Sequence, residues 1–127
     1  MITGLNHVGV AVSNLNEALE IFEKTLGLKL DKIKTVEEQK VKVAMLFAGE
    51  TKIELLEPTS EESPVGKFIA KKGEGIHHIA FTVSNIEKSL EEIKQEGIAL
   101  IDEKPRIGSE GHKVAFLHPK STKSVLI

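Results

Sequence analysis

The segment His7-Val-Gly-Val-Ala-Val-Ser-Asn-Leu15 recurs as His78-Ile-Ala-Phe-Thr-Val-Ser-Asn-Ile86 at an offset of 71 residues, and the predicted fold follows from this repeat. His, Val, Ser and Asn match identically between the two copies. The same offset aligns Lys42-Val-Ala-Met-Leu46 with Lys113-Val-Ala-Phe-Leu117, so the repeat continues through both halves of the chain. Two copies of one structural module are the simplest interpretation of this pattern.

Each copy begins with the alternation of residue types that is typical of a β-strand. Large apolar residues share one face of the strand, while His7 in the first copy and His78 in the second share the other face with mostly small residues. An amphipathic helix should follow each strand, opened by a Ser-Asn cap and ended by Gly27 or Gly97. The predicted helix packs on the apolar face, which leaves the two histidines on an open face.

Three strands are expected after each helix, at residues 28–34, 40–48 and 51–57 in the first copy and at 98–101, 112–118 and 123–127 in the second. Each module is therefore βαβββ. The predicted fold is α+β, with two pseudo-symmetric modules forming an open, cup-shaped mixed sheet in a single domain over residues 1–127. Module one spans about 1–58 and module two about 75–127, and Ser63-Pro64 predicts a connecting helix over about 63–73.

Composition excludes several classes of function. The 127 residues carry 17 Lys and Arg against 19 Asp and Glu, a net charge of −2, and their only aromatic residues are five Phe, so the chain lacks the basic surface expected of a nucleic-acid binder. Cysteine is absent, which excludes disulfides, thiol nucleophiles and thiolate metal sites. The N-terminus has neither a basic segment nor a long apolar run, so we expect a cytoplasmic protein with no membrane association.

A metal site is the main functional hypothesis. His7 and His78 occupy equivalent positions in the two repeats, and two imidazoles in one cleft suit a divalent cation. In the strand Thr51-Lys-Ile-Glu-Leu-Leu-Glu57, alternation places Glu54 on the histidine face, where a carboxylate would complete the set. The alternatives are that each histidine is an ordinary polar strand residue and that Glu54 is a solvated carboxylate balanced by lysine.

The remaining histidines are weaker candidates. The alternation of side chains along the strand places His77 with the residues that face a helix or a sheet edge. Its counterpart in the first copy is Asn6. His112 and His118 fall at strand ends and are expected in loops or hairpins, although His112 could line the mouth of the cavity. The sequence assigns no catalytic residue.

Five stretches in a fixed order carry a family resemblance that covers nearly the whole chain. They are Leu5-Asn-His-Val-Gly-Val-Ala-Val12, Thr51-Lys-Ile-Glu-Leu-Leu-Glu-Pro58 with Ser63-Pro64 following, Gly75-Ile-His-His-Ile-Ala-Phe81, Ile101-Asp-Glu-Lys-Pro105 and Phe116-Leu-His-Pro-Lys-Ser121. Together these stretches resemble the vicinal oxygen chelate superfamily, which has the glyoxalase and bleomycin-resistance fold. Within that superfamily they are most similar to methylmalonyl-CoA epimerases.

The resemblance implies a homodimer with a divalent metal, such as cobalt, zinc, manganese or nickel, in the cup. The family's metal ligands fall on His7, Glu54 and His78. Its fourth ligand, also a favoured catalytic base, is a Glu directly after a Val-Leu-Ile stretch. We therefore expect the natural chain to continue past Ile127 with Glu. The segment 40–48, where a family member can carry a base, has no carboxylate here, which leaves the second base unassigned.

The activity implied by the resemblance is interconversion of the two epimers of methylmalonyl-CoA through an enediolate that the metal stabilises. An acyl-CoA is then the small-molecule partner, and Lys67, Lys71 and Lys120 could meet its phosphates or could be ordinary surface charges. A lactoylglutathione lyase uses the same chemistry on a glutathione hemithioacetal and is the alternative enzyme. A non-catalytic binding protein of the same fold is the third possibility.

Overall fold

The structure is a computed structural model that describes residues 1–127. The strands are β1 (Ile2–Ala11), β2 (Lys29–Val36), β3 (Val41–Ala48), β4 (Thr51–Pro58), β5 (Gly75–Val83), β6 (Arg106–Ile107) and β7 (Lys113–Val114). The helices are α1 (Leu15–Leu19), which continues as a π-helical segment (Glu20–Thr25), α2 (Pro64–Lys72) and α3 (Ile86–Gln95). Short 3-10 turns occupy Glu37–Gln39 and Pro119–Ser121.

Five strands form one mixed sheet in the order β2-β3-β4-β1-β5, and β6 pairs with β7 separately. Strand β1 runs parallel to β4, whereas β3 runs antiparallel to both β2 and β4. The three strands predicted after the first helix are therefore present, with ends close to those expected. The α+β class is confirmed.

The helices begin where the sequence places their caps. Asn14 and Asn85 each accept a hydrogen bond from the backbone N–H three residues later, at 3.0 Å in both cases. Ser63 does the same for α2, with Pro64 as the first helical residue. Gly27 and Gly97 follow the other two helical segments with positive φ angles, as expected for C-terminal glycines.

Two helices cover opposite faces of the first-module strands. The residues packed around α1 include Val12, Ala44 and Leu55, which alternate with those of the other face. On that other face α2 contributes Val65, which packs with Ala11, Val43, Met45 and Leu56. The sequence predicts only the first of these layers. Helix α2 therefore covers one end of the face that carries the candidate metal ligands.

The prediction of three strands in the second module is wrong. Residues 98–101 contribute only an isolated bridge between Leu100 and Leu117, and regular pairing in 112–118 is confined to β7. Residues 123–127 form no strand, because Lys123 and Ser124 adopt φ angles of 59° and 68° in the left-handed region. Extended backbone needs negative φ, so these two residues interrupt the strand that the apolar pattern favours.

The chain divides into two compact units, one formed by Asn6–His78 and the other by Met1–Leu5 with Ile79–Ile127. The first unit contains the whole of the candidate metal centre. None of the helices combines the length and the apolar content that crossing a membrane requires. A single domain over 1–127 stays a prediction.

Candidate metal centre

Three neighbouring strands supply the candidate ligands. His7 lies on β1, Glu54 on β4 and His78 on β5, and β1 is flanked by the other two strands. In the parallel β1–β4 register, Gly9 pairs with Glu54, so the carboxylate shares a face with His7 two residues away. The alternation in the sequence correctly predicts this face for all three residues.

The donor atoms of these side chains converge. The Nε2 atoms of His7 and His78 lie 2.9 Å apart, and the two rings meet edge to face. An oxygen of Glu54 lies 3.6 Å from Nδ1 of His7. One donor atom from each residue lies within 4.8 Å of the other two. Two ligands at right angles around a cation, each about 2.1 Å from it, lie about 3 Å apart, so the histidine pair fits a divalent ion.

Gly9 makes room for the His78 ring. A Cβ atom at residue 9 would overlap Cε1 of His78 and would lie only 2.5 Å from its Nδ1, closer than real Cβ contacts come. Any side chain at residue 9 would therefore displace the imidazole. The sequence predicts that small residues share a face with the histidines. On β1 the reason is that the His78 ring occupies the space beside Gly9.

Burial keeps both histidines neutral. Burial, with smaller contributions from His7 and His77, lowers the pKa of His78 to about 3. The pKa of His7 is also lowered, first by burial and then by the positive charge of Lys52. A neutral imidazole presents a lone pair to a metal ion, whereas a protonated ring does not. The pair is thus chemically ready to bind a cation at neutral pH.

The second nitrogen of each ring, Nδ1, also has a partner. Nδ1 of His7 lies 2.8 Å from Oδ1 of Asn6, and Nδ1 of His78 lies 3.0 Å from Nδ1 of His77. From the sequence, His77 is one of the weaker metal-ligand candidates, and Asn6 is only its counterpart in the first copy. The repeat could have indicated a shared role for Asn6 and His77, because the same offset of 71 residues separates them and the two candidate ligands.

The other predicted residues stay outside this cluster. His118 accepts a hydrogen bond from the backbone N–H of Lys120 and caps the Pro119–Ser121 turn, so it lies in a loop and not in a hairpin, the two alternatives that the sequence leaves open. His112 is exposed in the turn that joins β6 to β7. Lys67, Lys71 and Lys120 are exposed.

Residues 6–116 match the model of the glyoxalase/bleomycin resistance protein/dioxygenase superfamily. The chain belongs to this superfamily. Its relatives include an uncharacterised Bacillus subtilis protein, 44% identical over 97% of this chain and 88% of that protein. An ethylmalonyl-CoA/methylmalonyl-CoA epimerase of Cereibacter sphaeroides is 36% identical over 100% of this chain and 96% of its own length.

A similar solved structure is a methylmalonyl-CoA epimerase in complex with methylmalonyl-CoA and NH4+. It superposes with a TM-score of 0.89 at 38% identity, covering 99% of this chain and 92% of that one. The α+β fold of this glyoxalase-superfamily chain is thus the fold of epimerases that handle acyl-CoA substrates. The resemblance seen in the sequence motifs is confirmed.

The contact between Gly9 and His78 predicts a large effect of a small substitution. Gly9→Ala should lower the free energy of unfolding by about 1–3 kcal/mol, because the added methyl group overpacks a buried site. Gly4→Ala is the matched control on the same strand, since its Cβ would meet nothing within 4 Å. Urea denaturation measures the free energy of unfolding of both variants. Equal stability of the two variants would contradict the packing argument.

The lowered pKa of His78 predicts a pH dependence of the metal-free protein. Between pH 6.5 and about 3 the unfolded chain binds a proton at this residue and the folded chain does not, so stability falls on acidification. From pH 6.5 to pH 5 the loss should be about 2 kcal/mol, at 1.36 kcal/mol per pH unit. Urea titrations should show a shallower dependence in His78→Gln. An unchanged dependence would show that His78 is not the group responsible.

Proposed function

We propose that this chain is a metal-dependent epimerase that interconverts the two epimers of methylmalonyl-CoA. The observation that carries the proposal is the pair of neutral, facing imidazoles with Glu54 beside them on one sheet face. The epimerases among its relatives and similar structures support the reaction and the acyl-CoA substrate class. The same two features make an isomerase a better interpretation than a passive binding protein.

In this proposal His7, Glu54 and His78 hold a divalent cation such as cobalt, zinc, manganese or nickel. The donor set suits these ions, because imidazole nitrogens and a carboxylate oxygen are ligands they share. When bound, the cation supplies positive charge that stabilises the anion left when the carbon between thioester and carboxylate loses its proton. Gly9 and the neutral histidines prepare the site before any ligand arrives.

Lys52 adds a second positive group beside the site. It pairs with His7 across the β1–β4 register and shares a face with Glu54 two residues later on its strand. Its charge is close enough to lower the pKa of His7. A substrate that carries a carboxylate next to its thioester would be attracted to this side of the site, which favours a malonyl-type acyl group over a neutral one.

Epimerisation needs a proton to leave one face of the reacting carbon and another to arrive on the opposite face. Strand β3 contributes Val41, Val43 and Met45 to the face that carries Glu54, and all three are buried and apolar. This strand therefore supplies no acid or base to that face.

Metal binding tests the ligand set directly. Four-ligand protein sites bind zinc with about 10–16 kcal/mol, so loss of one ligand should cost about 3 kcal/mol, or about 100-fold in affinity. Titration calorimetry with Co2+ should show this loss for His7→Ala and for His78→Ala. His112→Ala is the control, because that histidine is exposed in the β6–β7 turn and is not one of the clustered residues. If either variant binds Co2+ as tightly as the unmodified protein, the substituted histidine is not a ligand.

Proton exchange tests the reaction. With cobalt bound, we expect the chain to exchange the α-proton of methylmalonyl-CoA with solvent deuterium, and NMR follows the loss of that signal. His78→Ala should reduce the rate to that of metal alone in solution. Absence of exchange in metal-loaded protein whose full natural chain is present would refute the epimerase proposal. Formation of lactoylglutathione in the same preparation would favour the lyase.

We also propose that the protein is a homodimer. In the unit formed by Met1–Leu5 with Ile79–Ile127, large apolar side chains are exposed on the strands, among them Ile2 and Phe81. A second copy would remove such surface from water. Sedimentation equilibrium at micromolar concentration should give twice the monomer mass of 13.9 kDa. A monomer at that concentration would contradict this proposal.

A further inference from the structure

We propose that Asn6 and His77 are positioning residues that fix which nitrogen of each ligand histidine faces the cation. The inference rests on the proposed metal site and adds two residues to it that lie outside the ligand set. Each of them precedes a ligand histidine in the sequence and contacts the Nδ1 atom of that ring. Both contacts leave Nε2 as the atom directed at the opposite histidine.

The contact to Asn6 sets the tautomer of His7. Its Oδ1 atom lies 2.8 Å from Nδ1 of His7, and a carbonyl oxygen can only accept a hydrogen bond. Nδ1 of His7 therefore carries the proton, and the lone pair is left on Nε2. The carboxylate of Glu54 is farther from the same Nδ1 atom, at 3.6 Å, so Asn6 is the closer partner.

The contact to His77 does the same for His78. The two Nδ1 atoms lie 3.0 Å apart, so one ring donates to the other. When Nε2 of His78 binds a cation, its proton must be on Nδ1, and His77 is then the acceptor. The ring of His77 is itself held by an edge-to-face contact with Phe68 of α2, with centroids 5.0 Å apart. Helix α2 thus helps to hold His77 in place beside His78.

The repeat makes the two contacts equivalent. Asn6 and His77 are separated by the same offset of 71 residues as the two ligands, so each module uses the residue before its histidine for this purpose. The residue types differ, but both present an acceptor to Nδ1. Groups that hold the second nitrogen of a ligating histidine typically change metal affinity by about 10–100-fold when they are removed.

This equivalence provides the test. Removing the acceptor in Asn6→Ala or His77→Ala should weaken Co2+ binding by about 10–100-fold in titration calorimetry. The variant His77→Asn places in the second module the acceptor that the first module uses, and should bind within about threefold of the unmodified protein. His112→Ala should bind unchanged. Circular dichroism and urea unfolding identify any variant that has lost its fold.

A spectroscopic readout separates positioning from general stability. In the zinc-loaded protein, 15N NMR of the imidazoles should place a slowly exchanging proton on Nδ1 of both ligand histidines. The His77→Ala variant should lose protection of that proton on His78 alone, and His77→Asn should restore it. A proton found on Nε2 of either ring in the loaded protein would overturn the inference.

The outcomes distinguish this inference from the proposed function. If the unmodified protein binds Co2+ and both alanine variants bind as tightly, positioning is refuted while the metal site stands. Equal weakening by His77→Ala and His77→Asn also overturns it, because the acceptor would then be irrelevant. If the unmodified protein binds no divalent cation, the metal site fails and the positioning role fails with it.

Discussion

The approach of the His78 ring to the backbone of Gly9 is the contact on which the candidate site depends. The imidazole occupies the volume where any other residue would have its Cβ atom. That position brings its Nε2 atom to 2.9 Å from the ring of His7 and leaves His78 only 9% exposed. Burial then keeps the ring neutral. The absence of a side chain at Gly9 therefore determines both the geometry of the histidine pair and its ability to bind a cation.

The surrounding carboxylates have separate structural tasks. Glu57 lies three residues after Glu54 on β4, and the alternation of the strand places it on the opposite face. There it accepts a hydrogen bond from the backbone N–H of Leu15 at 2.6 Å, at the start of α1. Glu74 accepts another from Ser13 at 2.8 Å. These two residues fix the turn from β1 into α1, which leaves Glu54 as the carboxylate beside the histidines.

Much of this arrangement could be predicted from the sequence because the repeat carries it. Equivalent positions identified His7 and His78, and strand alternation placed Glu54 with them. The repeat could not reveal the role of Gly9, because its counterpart is Ala80 and the steric requirement exists in one copy only. It also could not reveal that positive φ angles at Lys123 and Ser124 interrupt the last predicted strand, since apolar patterning does not encode them.

His7, Glu54 and His78 should jointly bind one divalent cation. Anomalous diffraction from a crystal of the cobalt-loaded protein tests it most directly, because the ion's position is seen independently of any activity. If the three residues share a cation, a single strong peak should lie about 2.1 Å from Nε2 of both histidines and within bonding distance of a Glu54 oxygen. A peak elsewhere, or one bound to only one of the histidines, would contradict it.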